Sequence, residues 1–100
     1  MASERTALLL SVQRALLGAV PSTLRGVACG WSGSEINLRF VFDGPISSED
    51  EENMRVVATE VVSDFLAPVT IEEQIVRADW PARLEHYALQ YWAFLRKEVT

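Results

Sequence analysis

Residues 24–42, LRGVACGWSGSEINLRFVF, predict a β-hairpin, and this stretch decides the fold. Its first strand covers residues 24–31 and its second covers residues 35–42. The Ser-Gly-Ser between them supplies the short, glycine-containing turn that hairpins favour. In the second strand every other residue is large and apolar, which predicts one buried face made of Ile36, Leu38, Phe40 and Phe42.

Two amphipathic helices and a third strand surround the hairpin in the sequence. The first helix is predicted over residues 3–20, where apolar residues recur at helical spacing and Ser3 can cap the first turn. The second is predicted over residues 48–66, with a capping-box-like start and Pro68 after its end. The third strand is predicted over residues 69–79, and Pro81 ends it.

The C-terminal segment, residues 84–98, suits a helix or a strand equally well by spacing and propensity. We favour a strand over residues 90–97, because a fourth strand would cover more of the two helices. The predicted class is therefore α+β in the order αββαββ, with two helices packed on one face of a three- or four-stranded, mainly antiparallel sheet. Residues 1–100 have the length of one ordinary domain, and we expect a single domain.

Composition excludes several classes of protein. With 49% hydrophobic and 23% charged residues, the chain has globular rather than disordered composition. A single cysteine, Cys29, allows no intramolecular disulfide and fits a reducing cytosol. We find no signal-peptide pattern and no apolar run near the roughly 20 residues of a membrane span, so we expect a cytoplasmic protein. A pI near 4.8 argues against non-specific nucleic-acid binding, because contact with phosphates needs Lys and Arg.

The negative charge is concentrated in one part of the chain. Residues 43–76 hold nine acids and one base, Arg55, whereas the rest holds five acids and eight bases. Acids in the first turn of the second helix stabilise the helix dipole, and this is the simplest explanation for part of the block. Four consecutive acids at 49–52 exceed what the dipole requires, and Glu60 and Asp64 repel each other on one helix face. The excess predicts a surface that attracts a positively charged partner.

We therefore predict a partner-binding site rather than a catalytic one. The first contact region is predicted at Asp43, Glu49, Asp50, Glu51 and Glu52. A second group of acids comprises Glu60, Asp64, Glu72, Glu73 and Asp79. Trp31 and Trp80 are candidate anchors, because tryptophan is enriched in binding hot spots, although packing in the core or at its rim would also explain them.

Catalytic and metal-binding patterns are missing from the sequence. His86 is the only histidine, and Cys29 lies in a predicted strand without basic neighbours that would activate its thiol. No phosphate-binding glycine motif occurs, and the acidic run lacks the ligand spacing of a calcium loop. We expect no enzyme activity, no cofactor and no metal.

Several segments together resemble a family of small acidic bacterial proteins, some of whose members resemble immunity proteins of contact-dependent growth inhibition systems. The resemblance runs from about residue 12 to residue 98. It is carried by QRALLG (13–18) with LR (24–25), FVFDGPIS (40–47), ATEVVSDF (58–65), VRADWP (76–81) and LRKE (95–98).

The resemblance implies a cytosolic immunity protein that binds a cognate toxin domain and blocks its active site. Such toxins are often nucleases with basic clefts, so an acidic surface would match the phosphate charge that the toxin normally meets. The implied partner is therefore a toxin domain with a basic surface, bound one-to-one, with no role for nucleic acid or membrane.

Two other functions stay open on the residues alone. The first is a small homodimeric structural or adaptor protein that pairs through an exposed sheet edge. The second is a small enzyme that uses Asp and Glu pairs as acid and base, whose carboxyls would then have a raised pKa.

Overall fold

The computed structural model describes residues 3–66 and 68–98, so five positions of the predicted single domain 1–100 lie outside the described residues. The elements follow in the order α1 (Glu4–Leu16), β1 (Leu24–Ser32), β2 (Glu35–Phe42), α2 (Ser48–Ser63), β3 (Thr70–Arg77) and β4 (Tyr91–Leu95). A single turn of 3-10 helix, Glu85–Tyr87, interrupts the connection between β3 and β4. The α+β class is confirmed, and the predicted order αββαββ is matched apart from that turn.

Each helix is preceded by a serine whose hydroxyl caps the first turn. Ser3 accepts a hydrogen bond from the backbone N–H of Thr6, and Ser47 accepts one from the backbone N–H of Asp50. Each cap satisfies one of the amide groups that a helix start leaves without a partner. The two predicted helix starts are therefore confirmed to within one residue.

Both helices end earlier than their apolar spacing predicts. The first ends at Leu16 rather than at residue 20, because Gly18 adopts a φ of +75°, a left-handed conformation that glycine reaches without strain. The second ends at Ser63 rather than at residue 66. Its last turn carries Thr59 and Ser63, whose hydroxyls donate to the carbonyls four residues earlier.

The four strands form one mixed sheet in the order β3-β2-β1-β4. The hairpin is antiparallel, as predicted, but Ser32 belongs to β1 and pairs with Glu35, so the turn has two residues rather than the predicted three. The pairing of β1 with β4 is also antiparallel, but β2 and β3 are parallel. The prediction of a mainly antiparallel sheet is thus only partly right. The helix α2 crosses back over the sheet between β2 and β3, and such a crossover returns the chain in the same direction.

The C-terminal segment forms a strand, which decides between the two alternatives that its sequence left open. The strand β4 is shorter than the predicted 90–97 and pairs with β1 through Tyr91 opposite Cys29 and Phe94 opposite Val27. Aromatic residues opposite small or branched ones favour such a pairing.

The hydrophobic core lies between the sheet and the two helices. The alternating residues of β2 face it, with Ile36 and Phe40 at 0% exposure. Leu8 and Val12 of α1 and Val57 of α2 belong to the same buried cluster. The prediction of two helices on one face of the sheet is confirmed, because residues of both helices and of one strand face form a single cluster.

The connection from β3 to β4 crosses the opposite face of the sheet. These two strands lie at the two edges, so residues 78–90 must span the sheet between them. On this face the guanidinium of Arg39 donates to the carbonyl of Tyr87 at 3.1 Å. Gln90 accepts a hydrogen bond from the backbone N–H of Trp31 at 2.7 Å. The sheet is therefore partly covered on both faces, which leaves its ends, its edge strands and the outer helix surface for contact.

Within residues 3–66 and 68–98, none of the helices is long and apolar enough to cross a membrane.

Candidate functional site

The acidic turn, defined as residues 49–52, lies at the start of α2, with its first three acids in the first helical turn. It follows the Ser47 cap, where negative charge interacts favourably with the helix dipole. Arg55 lies one turn later and approaches Glu51 at 3.4 Å and Glu52 at 3.7 Å. Among the residues that the structure describes, neither Glu49 nor Asp50 forms a salt bridge. The acidic turn therefore keeps charge that the fold does not neutralise.

A second charged feature, the terminal ion network, lies at the same end of the sheet. It comprises Arg25, Asp43, Arg77, Asp79, Arg96 and Glu98. These residues meet because β2 and β3 are parallel and end side by side, and β1 begins at that end. Three arginines balance three carboxylates, so the network contributes no net charge.

Asp43, which the sequence predicts as a first contact, is engaged within this network. One carboxylate oxygen accepts a hydrogen bond from Arg96 at 3.0 Å, and the other accepts one from the backbone N–H of Trp80 at 3.2 Å. Its side chain is 31% exposed. The geometry assigns Asp43 a role in joining the ends of β2, β3 and β4.

Asp79 holds the neighbouring turns together. It accepts hydrogen bonds from the backbone N–H of Gly44 at 2.7 Å and from the guanidinium of Arg77 at 2.9 and 3.0 Å. The hydrogen bonds from Arg77, followed by that from Gly44, lower the pKa of Asp79 to about 2. A carboxyl that is ionised so firmly is unsuited to act as a general acid or base at neutral pH.

Arg25 is the centre of the network and was not among the predicted site residues. Its side chain is 2% exposed, and it lies at the irregularity in the pairing of β1 with β2, between Leu24 and Gly26. It donates to Glu98 at 2.7 and 2.8 Å and to the carbonyl of Ala78 at 2.8 Å. The hydrogen bond to Glu98 raises the pKa of Arg25 in spite of its burial. An arginine inside an otherwise apolar strand was the signal in the sequence, since a buried cation requires a partner.

The two candidate tryptophan anchors have different surroundings. Trp31 packs edge-to-face on Phe65, with ring centroids 4.8 Å apart, and its indole N–H donates to the carbonyl of Gly33. Trp80 is 46% exposed. It lines a pocket of about 330 Å³ together with Asp43, Arg96, Lys97 and Glu98. Of the two rings, only that of Trp80 offers a large apolar surface at the end that carries the acidic turn.

The second group of acids is spread over several surfaces. Asp64 accepts hydrogen bonds from Ser11 at 2.6 Å and from Arg14 at 3.1 Å, and these contacts lower its pKa, the one with Ser11 having the largest effect. Glu60 lines a groove between α1 and α2. On β3, Glu72 is exposed, whereas Glu73 has one buried carboxylate oxygen without a hydrogen-bond partner.

The candidate reactive groups among the described residues include Cys29 and His86. Cys29 is buried, and desolvation raises the pKa of its thiol to about 11. His86 lies exposed on the 3-10 turn. Across residues 3–66 and 68–98, no group of three or more His, Cys, Asp or Glu side chains could hold a metal ion. The charge and the exposed apolar area at the surface suit binding to a protein.

The sequence matches a family model described as MafI2 immunity protein over residues 5–98. A search of curated proteins finds no match.

Proposed function

Because the chain belongs to the MafI2 immunity protein family, it is a toxin-neutralising immunity protein, and we propose that it binds its cognate toxin one-to-one through the acidic turn. In this proposal the toxin domain is a nuclease with a basic surface, delivered by a contact-dependent growth inhibition system. The protein acts in the cytoplasm, without enzyme activity, by occupying or obstructing the toxin's active site.

The observation that carries this proposal is the uncompensated charge of the acidic turn. Glu49 and Asp50 have no basic partner among the described residues, while Glu51 and Glu52 share Arg55. Charges that contribute nothing to internal ion pairs cost stability through mutual repulsion. Their position at a helix start offsets part of this repulsion, because negative charge interacts favourably with the helix dipole. Binding to a basic surface would explain why the protein carries more negative charge there than the helix requires.

A nuclease is a toxin class whose expected surface charge is opposite to that of the acidic turn. An enzyme that cleaves nucleic acid carries Lys and Arg where the phosphates bind. Carboxylates presented on a rigid helix turn can occupy those positions, and opposite potentials raise the association rate up to about 10⁸–10⁹ M⁻¹s⁻¹ at low salt.

The acidic turn is too small to form the whole interface, which requires about 20–30 residues on each side. Trp80 lies at the same end of the sheet, because its backbone N–H bonds to Asp43, a few residues before α2. We include Trp80 as the apolar anchor, with Asp43 and Asp79 holding its loop in place. Glu60, Glu72 and Glu73 are the remaining candidates for the rim.

Association kinetics with the cognate toxin domain test the proposal. The double variant Glu49→Gln/Asp50→Asn removes the two unpaired charges and keeps the Ser47 cap. We expect association to slow several-fold at low salt, and the difference to shrink in 0.5 M salt because exposed charges are then screened.

A matched control removes the same charge elsewhere. The variant Glu4→Gln/Glu35→Gln changes two exposed acids outside the predicted site, and its association rate should stay near that of the parent protein. Equal association rates for the parent and the Glu49/Asp50 variant at low salt would refute the role of the acidic turn.

The alternative function, a homodimeric structural or adaptor protein, has one structural observation in its favour. In the described part of the chain β3 pairs only with β2, so its outer edge is open to another strand. Against it, Glu73 aligns with Leu38 and so lies on the helix-facing side of this edge strand. An inward-facing charge on an edge strand opposes pairing with another sheet. Sedimentation of the isolated protein distinguishes the two functions, because a stable dimer without affinity for the toxin would support the homodimeric alternative.

A further inference from the structure

A groove between the end of α1 and the middle of α2 lies outside the acidic turn and the terminal ion network. It has a volume of about 410 Å³. Its lining includes Arg14, Leu17, Gly18, Asn53, Val56 and Glu60. The two helices run in opposite directions here: Ser11 of α1 contacts Asp64, just after α2 ends, whereas Leu17, just after α1 ends, lies beside Asn53 of α2.

Two apolar side chains of this groove are exposed. Leu17 is 79% exposed and Val56 is 47% exposed, and they lie on opposite walls of the groove. Leu17 is exposed because the helix ends at Leu16 and Gly18 turns the chain. Single exposed apolar residues are common, but two that line the same groove form a surface whose burial would be favourable.

Charge surrounds this apolar centre asymmetrically. On α2, Glu52 precedes Val56 by four residues and Glu60 follows it by four, so all three lie along one helix face. The basic residue of the groove, Arg14, is paired with Asp64 at 3.1 Å. Among the described residues Glu60 forms no salt bridge. Glu52 lies beside the groove rather than in its lining; it is 69% exposed, and its contact with Arg55 is long, at 3.7 Å. The rim is therefore negative.

We infer that this groove receives a segment of the same toxin in which Lys or Arg residues flank one apolar side chain. The apolar side chain seats between Leu17 and Val56, and the flanking cations meet Glu52 and Glu60. This inference rests on the proposed function and extends the interface from the acidic turn along two further turns of α2. An apolar centre with a charged rim is the usual anatomy of a binding hot spot.

A second copy of the chain is a poorer occupant of the groove. Two copies meeting face to face would bring Glu52 and Glu60 of one near the same glutamates of the other, and like charges in an interface are repulsive. A basic segment instead gains from both carboxylates.

Dissociation kinetics separate this groove from the acidic turn. The variant Leu17→Ala/Val56→Ala shortens both exposed side chains, and alanine favours the helix at position 56. We expect dissociation from the toxin domain to become about ten-fold faster with little change in the association rate. The control, Leu66→Ala, shortens a leucine that is fully exposed beyond the other end of α2 and should leave both rates unchanged.

Charge reversal gives an independent measurement. Glu60→Lys should weaken binding to the toxin domain by about ten-fold, whereas Glu35→Lys, at the far end of the hairpin, should not. Unchanged dissociation of the Leu17/Val56 variant overturns the groove inference, and if Glu49→Gln/Asp50→Asn still slows association, the proposed function stands. If the parent protein dimerises with rising concentration and the Leu17/Val56 variant does not, the groove inference is also overturned, because the groove would then bind a second copy of the chain.

Discussion

Arg25 and Glu98 are 73 residues apart in the chain, yet Arg25 donates two hydrogen bonds to the carboxylate of Glu98, at 2.7 and 2.8 Å. Arg25 lies near the start of β1, and Glu98 follows the end of β4. Arg96 extends the contact by donating to both Glu98 and Asp43. The pair of Arg25 and Glu98 therefore stabilises the end of the sheet at which Trp80 and the acidic turn lie.

Replacing Glu98 by Gln should destabilise the fold strongly. The side chain of Arg25 is 2% exposed, so removing the negative charge leaves a buried guanidinium without its counter-ion. Breaking such a buried pair costs about 3 kcal/mol of unfolding free energy, which urea denaturation measures. Glu85→Gln, which breaks an exposed pair with Arg83, is the control and should change stability by less than about 0.5 kcal/mol. Equal effects of the two substitutions would contradict the role given to Arg25.

Stability should fall in acid because three carboxyls are more acidic in the folded protein than in the unfolded chain. The pKa values of Asp64 and Glu98 are lowered, and that of Asp79 is lowered to about 2. A lowered folded pKa contributes stability that is fully present above the unfolded value near 4 and is lost as the pH falls through the folded value. Denaturation midpoints should be level from pH 7 to about 5 and decline between about pH 4 and 2.

The variant Asp79→Asn isolates one part of this acid dependence. The amide cannot ionise, so the variant should be less stable at pH 7 and should lose less stability than the parent protein between pH 4 and 2. If Asp79→Asn loses as much stability between pH 4 and 2 as the parent protein does, the carboxyl of Asp79 does not contribute to the acid dependence.

Asp64 should affect folding, whereas Glu60, one turn earlier on α2, should affect binding. Asp64→Ala leaves the hydroxyl of Ser11, which is 1% exposed, without its acceptor, at a cost of about 1 kcal/mol. A double-mutant cycle with Ser11→Ala should show that the two effects are less than additive. Glu60→Ala should leave stability within about 0.5 kcal/mol and weaken toxin binding.

The outcome for Asp64 is informative in both directions. Parent-like toxin affinity of the folded Asp64→Ala variant supports an internal role for this residue. A large loss of affinity would instead return Asp64 to the contact surface.

Replacing the two candidate tryptophan anchors should have different effects, on stability for Trp31 and on toxin binding for Trp80. Trp31→Ala removes the edge-to-face contact with Phe65 and should cost about 2 kcal/mol of stability. Trp80→Ala removes a ring that is 46% exposed and should change stability by less than about 0.5 kcal/mol, while raising the Kd for the toxin domain about ten-fold. Isothermal titration and thermal unfolding on both variants check this, and loss of affinity in Trp31→Ala alone would reverse the assignment.

Local patterns in the sequence were sufficient for most elements of the fold. Alternation of apolar residues predicted the β2 face that holds Ile36 and Phe40, and the serines before each helix predicted the helix starts. These features depend on neighbours within a few residues, so the sequence carries them directly. The parallel pairing of β2 with β3 was missed, although the long helical connection between them is the usual sign of a crossover.

The candidate site was less predictable than the fold. The sequence grouped Asp43 and Asp79 with the unpaired acids because they lie in or near one acidic block. The structure places arginines from distant parts of the chain against both of them. Which carboxylates keep a free charge depends on partners up to tens of residues away, and spacing along the chain does not report such distances.

The sequence by itself determined the α+β class, the hairpin, the two capped helices and the excess of acid at the start of α2, because all of these depend on short-range pattern and composition. Only the tertiary structure decided the strand at the C-terminus, the direction of β3 and the pairing of Arg25 with Glu98. It also decided which acids are bound internally, since parallel strand ends bring together charges that the chain keeps apart. The acidic turn keeps its unpaired charge because no arginine from that assembly is directed at Glu49 or Asp50 within the described residues.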